Sequence, residues 1–139
     1  MAPITLPPPP RRALIVDDSP AARAALASAV GHYGFAAEEV DSGGDALRRL
    51  LYEEFALALV DLQMPVVDGV QLLRLLRTRG SRVPVILVSA TQDMHLVRHT
   101  VKLGASDYLP KPFDVASVGE SLGRLYGVSP ASLLVRPPG

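Results

Sequence analysis

An α/β fold built on a doubly wound, five-stranded parallel sheet with five helices is what this sequence predicts, on three observations. Short apolar or strand-like runs recur along the chain, at ALIV (13–16), AAEEV (36–40), FALALV (55–60), VPVILVS (83–89) and DYLP (107–110). Segments of helical period separate them, and most of these open on a side chain suited to capping a helix. Strands alternating with helices make βαβ units, whose right-handed crossovers give a mostly parallel sheet covered on both sides.

Each element has its own warrant. ALIV is apolar throughout, as a central strand covered on both faces requires. Ser19 can cap the first helix with Pro20 at its first position, and Ala22, Ala25, Leu26, Ala29 and Val30 line one face until His32, Tyr33 and Gly34 end it. AAEEV carries two glutamates and suits a sheet edge. Ser42 opens the second helix on GGDALRRLLYEE, and FALALV returns to the apolar pattern of a central strand. Asp68 precedes GVQLLRLLRTRG, the third helix. After VPVILVS, the fourth helix, around QDMHLVRHTVKLG, has the weakest periodicity. DYLP completes the strands, and Asp114 precedes a last helix with Val118, Leu122 and Leu125 in register. Gly119 and Gly123 weaken that helix by about 1 kcal/mol each relative to alanine, a cost that points to close packing or a partner contact. No internal repeat of solenoid length is present.

Composition narrows the function. With 48% apolar and 20% charged residues in 139, the chain fits one globular domain that buries roughly two thirds of its unfolded surface. Fourteen basic residues balance fourteen acidic ones, which leaves no electrostatic footprint for nucleic acid or an anionic membrane. The absence of cysteine excludes disulfides, a thiol nucleophile and a zinc–thiolate site. No apolar stretch follows Met1 as a signal peptide would, and no run approaches membrane-spanning length, so the expected location is the cytoplasm. Five prolines open the chain in MAPITLPPPPRR and three close it in VSPASLLVRPPG. Residues 1–12 and 128–139 therefore read as tails or linkers around a domain at 13–127.

Chemistry concentrates where strands end. In an open parallel sheet, ligands bind at the carboxyl ends of the strands, beside the point where strand order reverses. Asp17 and Asp18 end the first strand and Asp61 the third; with strand order 2-1-3-4-5 these become neighbours. Three carboxylates in one crevice repel unless a cation offsets them, and Mg²⁺ suits oxygen ligands of this kind. Alternatively, Asp17 and Asp18 merely assist Ser19 at the helix start. The fourth strand ends in Ser89 and the fifth in Lys111, one of only two lysines against twelve arginines. A hydroxyl and a compact ammonium at the rim that bears three acids suit a phosphoryl group. His95 and His99 stand four apart on a helix but lack a third ligand, and read as surface residues.

Four motifs, VDDS (16–19), DLQMPVVDG (61–69), VSA (88–90) and GASDYLPKPF (104–113), occur in an order and spacing that resembles the receiver domain of two-component response regulators, of chemotaxis-regulator type. The resemblance covers about residues 12–127 and implies a flavodoxin-like fold. It implies Asp61 as phosphoacceptor, and Asp17, Asp18, Asp61 and the backbone carbonyl of Gln63 as Mg²⁺ ligands. It makes Ser89 and Lys111 the contacts to the phosphoryl group, with Ser89 and Tyr108 as the switch pair. The Lys111–Pro112 bond is expected to be cis, and Gln63 and Thr91 are implicated in setting the phosphoryl lifetime.

The implied donor is a phosphohistidine on a histidine kinase or histidine phosphotransfer protein. The implied output is a downstream protein bound at the face of the fourth helix, fifth strand and fifth helix, with a homodimer as a further option and no nucleic acid or membrane partner. Such a domain catalyses only its own phosphorylation and dephosphorylation. VDDSPAAR and DLQMPVVDG look more like receivers of hybrid kinases than of transcription factors, so both a free-standing receiver and one tethered to a larger chain are expected readings. Two alternatives remain: an interaction module that never carries phosphate, and a phosphatase of the haloacid dehalogenase type. The latter places a second Asp two positions after its nucleophile, where this chain has Ser19 after Asp17 and Gln63 after Asp61.

Overall fold

The computed structural model describes residues 4–134. In chain order the elements are β1 (Arg11–Val16), α1 (Pro20–His32), β2 (Phe35–Val40), α2 (Gly43–Tyr52), β3 (Leu57–Asp61), α3 (Gly69–Thr78), β4 (Val85–Ser89), α4 (Met94–Lys102), β5 (Asp107–Pro110), α5 (Val115–Tyr126) and a short α6 (Pro130–Leu133). All neighbouring strands pair in parallel, in the order β2-β1-β3-β4-β5. The architecture is the expected one, with a single added turn of helix, α6.

Helix starts follow the capping chemistry. The Ser19 and Ser42 hydroxyls accept the backbone N–H of Ala22 and Asp45, and Pro20 occupies the first turn of α1. Asp68 with Gln71, and Asp114 with Ser117, form reciprocal capping boxes on α3 and α5. Asp93 caps α4 through the N–H groups of His95 and Leu96.

The period of two along the strands sorts side chains between two cores. Ala13, Ile15, Leu57, Leu59, Ile86 and Val88 pack with α1 and α5 on one face. Leu14, Val16, Ala58, Val60, Val85 and Leu87 pack on the other, mainly with α2 and α3. β3 and β4 are buried at every residue, whereas β2 is half-exposed at the edge, as its glutamates require. Gly119 marks a close approach: a Cβ there would strike the Tyr33 ring, whose hydroxyl donates to the Val115 carbonyl at 2.9 Å. Gly123 faces the Val128 carbonyl in the same way, at 2.6 Å from where a Cβ would stand.

β1 begins at Arg11, two residues before the apolar run that marks it in sequence. The Arg11 guanidinium lies 5.5 Å from the Phe35 ring centroid and donates to the carbonyls of Pro7 and Leu133. Leu6 packs against the core, the Ile4 N–H donates to the Leu125 carbonyl at 3.1 Å, and Leu133 is fully buried. Parts of both proline-rich ends thus lie against the domain, because the aliphatic stem of an arginine and two leucines find apolar surface there. Residues 1–3 and 135–139 of the expected tails lie outside the described residues.

Candidate functional site

Register brings the carboxylates together. Val16 of β1 pairs with Val60 of β3, so the next residue of each strand, Asp17 and Asp61, stand side by side at the carboxyl end of the sheet. Asp17 is fully buried and Asp61 nearly so, while Asp18 is exposed. One oxygen from each of the three lies within 4.8 Å of the others. On the other side, Ser89 pairs with Pro110 and the Lys111 N–H donates to the Ser89 carbonyl at 2.8 Å, delivering the lysine to the same crevice. The Lys111–Pro112 peptide is cis.

The backbone fixes each acid. Asp17 Oδ1 accepts the Ser19 N–H at 2.9 Å, and Asp61 Oδ1 accepts the Gln63 N–H at 3.1 Å. Lys111 Nζ lies 3.0 Å from Asp17 Oδ2 and 3.6 Å from Asp61 Oδ2. Burial is the main force raising the Asp61 pKa; the Gln63 N–H opposes it, the Asp17 charge adds to it, Lys111 opposes and Asp18 adds. Burial alone would lower the pKa of Lys111, but its hydrogen bond to Asp17 and the charges of Asp61 and Asp17 outweigh it, and the net shift is upward.

Ser89 is fully buried, and its hydroxyl accepts the Thr91 N–H at 3.1 Å. The half-buried Tyr108 hydroxyl stands 2.9 Å from the carbonyls of both Ser89 and Thr91, sharing one proton between them, and burial raises its pKa. Gln63 is exposed in the loop after β3, its N–H committed to Asp61. The structure therefore gathers Asp17, Asp18, Asp61, Ser89, Lys111, Gln63 and Tyr108 at one end of the sheet. His95 and His99 are exposed on α4, outside the acidic cluster, and His99 Nε2 lies 3.4 Å from Arg74.

Two contributors escaped the sequence reading. Arg23 donates to the Asp17 carbonyl at 2.8 Å and reaches Glu39 at 3.4 Å, tying α1 and β2 to the site. Nothing local marks it, since its partners come from other elements. Gly69 carries a legible signal, the Asp-Gly pair: a Cβ there would stand 2.7 Å from the Asp61 carbonyl oxygen and 2.8 Å from Leu62 Cα. Only glycine lets α3 start this close to the end of β3.

The donor set is all oxygen, two of its three carboxylates are buried, and among the described residues one ammonium, that of Lys111, faces them. With all groups ionised the crevice is left net negative, so the residues present fit a hard divalent cation.

A family model for the response regulator receiver domain matches residues 13–122. The transcriptional regulatory protein TctD of Salmonella typhimurium is 37% identical over 100 residues, spanning 72% of this chain and 45% of that protein. The response regulator protein FleR of Pseudomonas aeruginosa is 37% identical over 108 residues, spanning 78% of this chain and 23% of that protein. The chain thus covers less than half the length of these relatives. Among solved structures, the receiver domain of the sensor histidine kinase PA1611 from Pseudomonas aeruginosa superposes with a TM-score of 0.76 at 28% identity, over 85% of this chain and 98% of that one. That structure has a magnesium ion coordinated in its active-site cleft. Because the family match runs through all four strand ends that carry the site, the chain belongs to the response regulator receiver domains of two-component signalling.

Proposed function

We propose that the chain is a phosphoacceptor receiver that takes a phosphoryl group from a phosphohistidine onto Asp61. The observation that carries this reading is the position of the Asp61 carboxylate, grouped with Asp17 and Asp18 and 3.6 Å from the Lys111 ammonium. Asp61 Oδ attacks phosphorus, the P–N bond to the imidazole breaks with its electron pair returning to that nitrogen, and an acyl phosphate forms. Lys111 lies close enough to Asp61 to meet phosphoryl oxygens as a point charge, and the Ser89 hydroxyl would donate to another. Asp17, Asp18, Asp61 and the Gln63 carbonyl would hold Mg²⁺, which when bound supplies positive charge against the phosphoryl oxygens.

The same contacts suggest how the state is read out. Tyr108 hangs on the carbonyls of Ser89 and Thr91, so a displacement of Ser89 toward a phosphoryl group changes what holds the phenol. The surface of α4, β5 and α5 then presents a different shape to a downstream protein or a second copy. The donor is a histidine kinase or histidine phosphotransfer protein, the setting the cytoplasm, and the phosphorylated unit residues 13–127, free-standing or within a longer chain. Hydrolysis of its own acyl phosphate is the only other reaction in this reading.

Incubation with acetyl phosphate and MgCl₂, followed by intact mass, tests it. The expected result is the added mass of one phosphoryl group on the wild type and none on Asp61→Asn. No addition to the wild type, or equal addition to both, overturns the proposal in favour of a module that never carries phosphate.

A further inference from the structure

Charge on this neutral chain is segregated. Between residues 69 and 106 stand Arg74, Arg77, Arg79, Arg82, Arg98 and Lys102, against a single carboxylate, Asp93, which is occupied in capping α4. Among the described residues, none of these six cations makes an ion pair, whereas Arg12, Arg23, Arg48, Arg49, Lys111 and Arg124 all do. The unpaired cations belong to α3, α4 and the loop after α3, and five of the six are exposed.

At the foot of this face, near the amino ends of β4 and β5, is a cleft of about 570 Å³ bordered by Arg77, Arg82 and Lys102. Among the described residues no carboxylate lines it, and Ile4, Pro84, Leu103 and Ser106 complete part of its wall. Arg77 spans from α3 to the turn after α4, donating to the carbonyls of Ser81, Val83 and Gly104 at 2.8–3.1 Å. Those carbonyls take three of its five N–H groups and leave its charge without a counter-ion among the described residues. Cations in the last turns of α3 and α4 complement the helix dipoles, which accounts for Arg77 and Lys102. That complement does not reach Arg82 in the loop or Arg98 in mid-helix. Along α4, the exposed Met94 and Val101 bracket Arg98, so the face is apolar as well as basic.

We propose that the α3–α4 face, with the cleft between Arg77, Arg82 and Lys102 at its foot, docks an acidic, partly apolar polypeptide segment of a partner protein. Charge complementarity selects the partner. A polynucleotide needs basic surface along its whole length. Here, however, the patch is bounded by the acids at the strand ends, and the β2–α2 side carries Glu39, Asp41, Asp45 and Glu54. A short acidic segment meets the cations and escapes those acids, and its apolar residues find Met94, Val101 and Leu103. The cleft, bordered by Pro84 and Ser106 just before β4 and β5, lies at the opposite end of those strands from the phosphoacceptor crevice.

The test is an NMR titration of the isotope-labelled full chain with a synthetic peptide of alternating glutamate and leucine pairs. Parallel titrations use a lysine–leucine peptide of the same length, double-stranded DNA and phosphatidylglycerol vesicles. The acidic peptide is expected to shift amides of residues 77–83 and 98–106. Its affinity should fall at least about tenfold in the double variant Arg82→Glu/Lys102→Glu, less in Arg82→Gln/Lys102→Gln, and also with added salt. Absent shifts, shifts centred elsewhere, or unchanged affinity in the double reversal overturn the proposal. Tighter binding of DNA or vesicles than of the acidic peptide overturns it as well.

Discussion

The Lys111 ammonium reaches the buried Asp17 carboxylate at 3.0 Å, joining the end of β5 to the end of β1 across 94 residues of chain. That contact supports the fold and, in the proposed function, brings the site its positive charge. Its removal leaves two buried carboxylates facing one another without a cation.

Lys111→Met is therefore expected to destabilise the metal-free protein by about 2 kcal/mol, the scale of a lost hydrogen bond to a charged group. Urea unfolding in the presence of a chelator measures it. An unchanged midpoint would show that solvent already screens Asp17 and Asp61 from each other.

Addition of MgCl₂ is expected to raise the unfolding midpoint of the wild type, because a cation held by Asp17, Asp18 and Asp61 binds only the folded chain. At a hundredfold excess over Kd the gain is about 2.7 kcal/mol. Asp18→Asn changes an exposed candidate ligand without opening the core, and should abolish most of this response in thermal melts.

The pH dependence at low pH should come partly from Glu53. Hydrogen bonds from Arg49 first and Arg12 second hold its pKa at about 2, against an ordinary value of 4.5. A carboxylate with a depressed folded pKa stabilises the fold fully above its unfolded pKa. That contribution fades as pH falls below 4.5 and is gone once pH passes through about 2. Glu53→Gln should flatten the stability profile in that window and leave it unchanged in shape at neutral pH, as followed by urea unfolding at stepped pH.

Leu133 is fully buried against the α1–α5 core. Leu133→Ala is expected to cost about 2 kcal/mol, the low end for a buried leucine because a terminal turn can collapse into the space. Chemical denaturation of the full chain checks this; a loss well under 1 kcal/mol would mean that α6 leaves the core readily.

Much of the fold was legible because its signals are local. The fully buried strands read as unbroken apolar runs, and Ser19, Ser42, Asp68 and Asp114 cap the helices that follow them. The edge strand showed itself through Glu38 and Glu39. Asp17, Asp18, Asp61, Ser89 and Lys111 were legible as strand-end residues of unusual type, whereas Gln63 and Tyr108 came only through the family resemblance.

The remainder needed contacts that no local pattern encodes. Nothing in VDDS distinguishes buried Asp17 from exposed Asp18, or announces that Arg23 will hold the Asp17 carbonyl. Arg11 reads as the end of a polar tail until Phe35, Pro7 and Leu133 surround it. The run of six cations from Arg74 to Lys102 against one carboxylate stands in the sequence itself, but that none of them meets an ion-pair partner among the described residues is decided by which faces adjoin. Sequence by itself determined the five strands, the five longer helices and the chemical inventory at their ends, since period and capping act within a few residues. Tertiary structure decided burial, pairing and charge neighbourhood, because those depend on register and on two sheet faces packing at once.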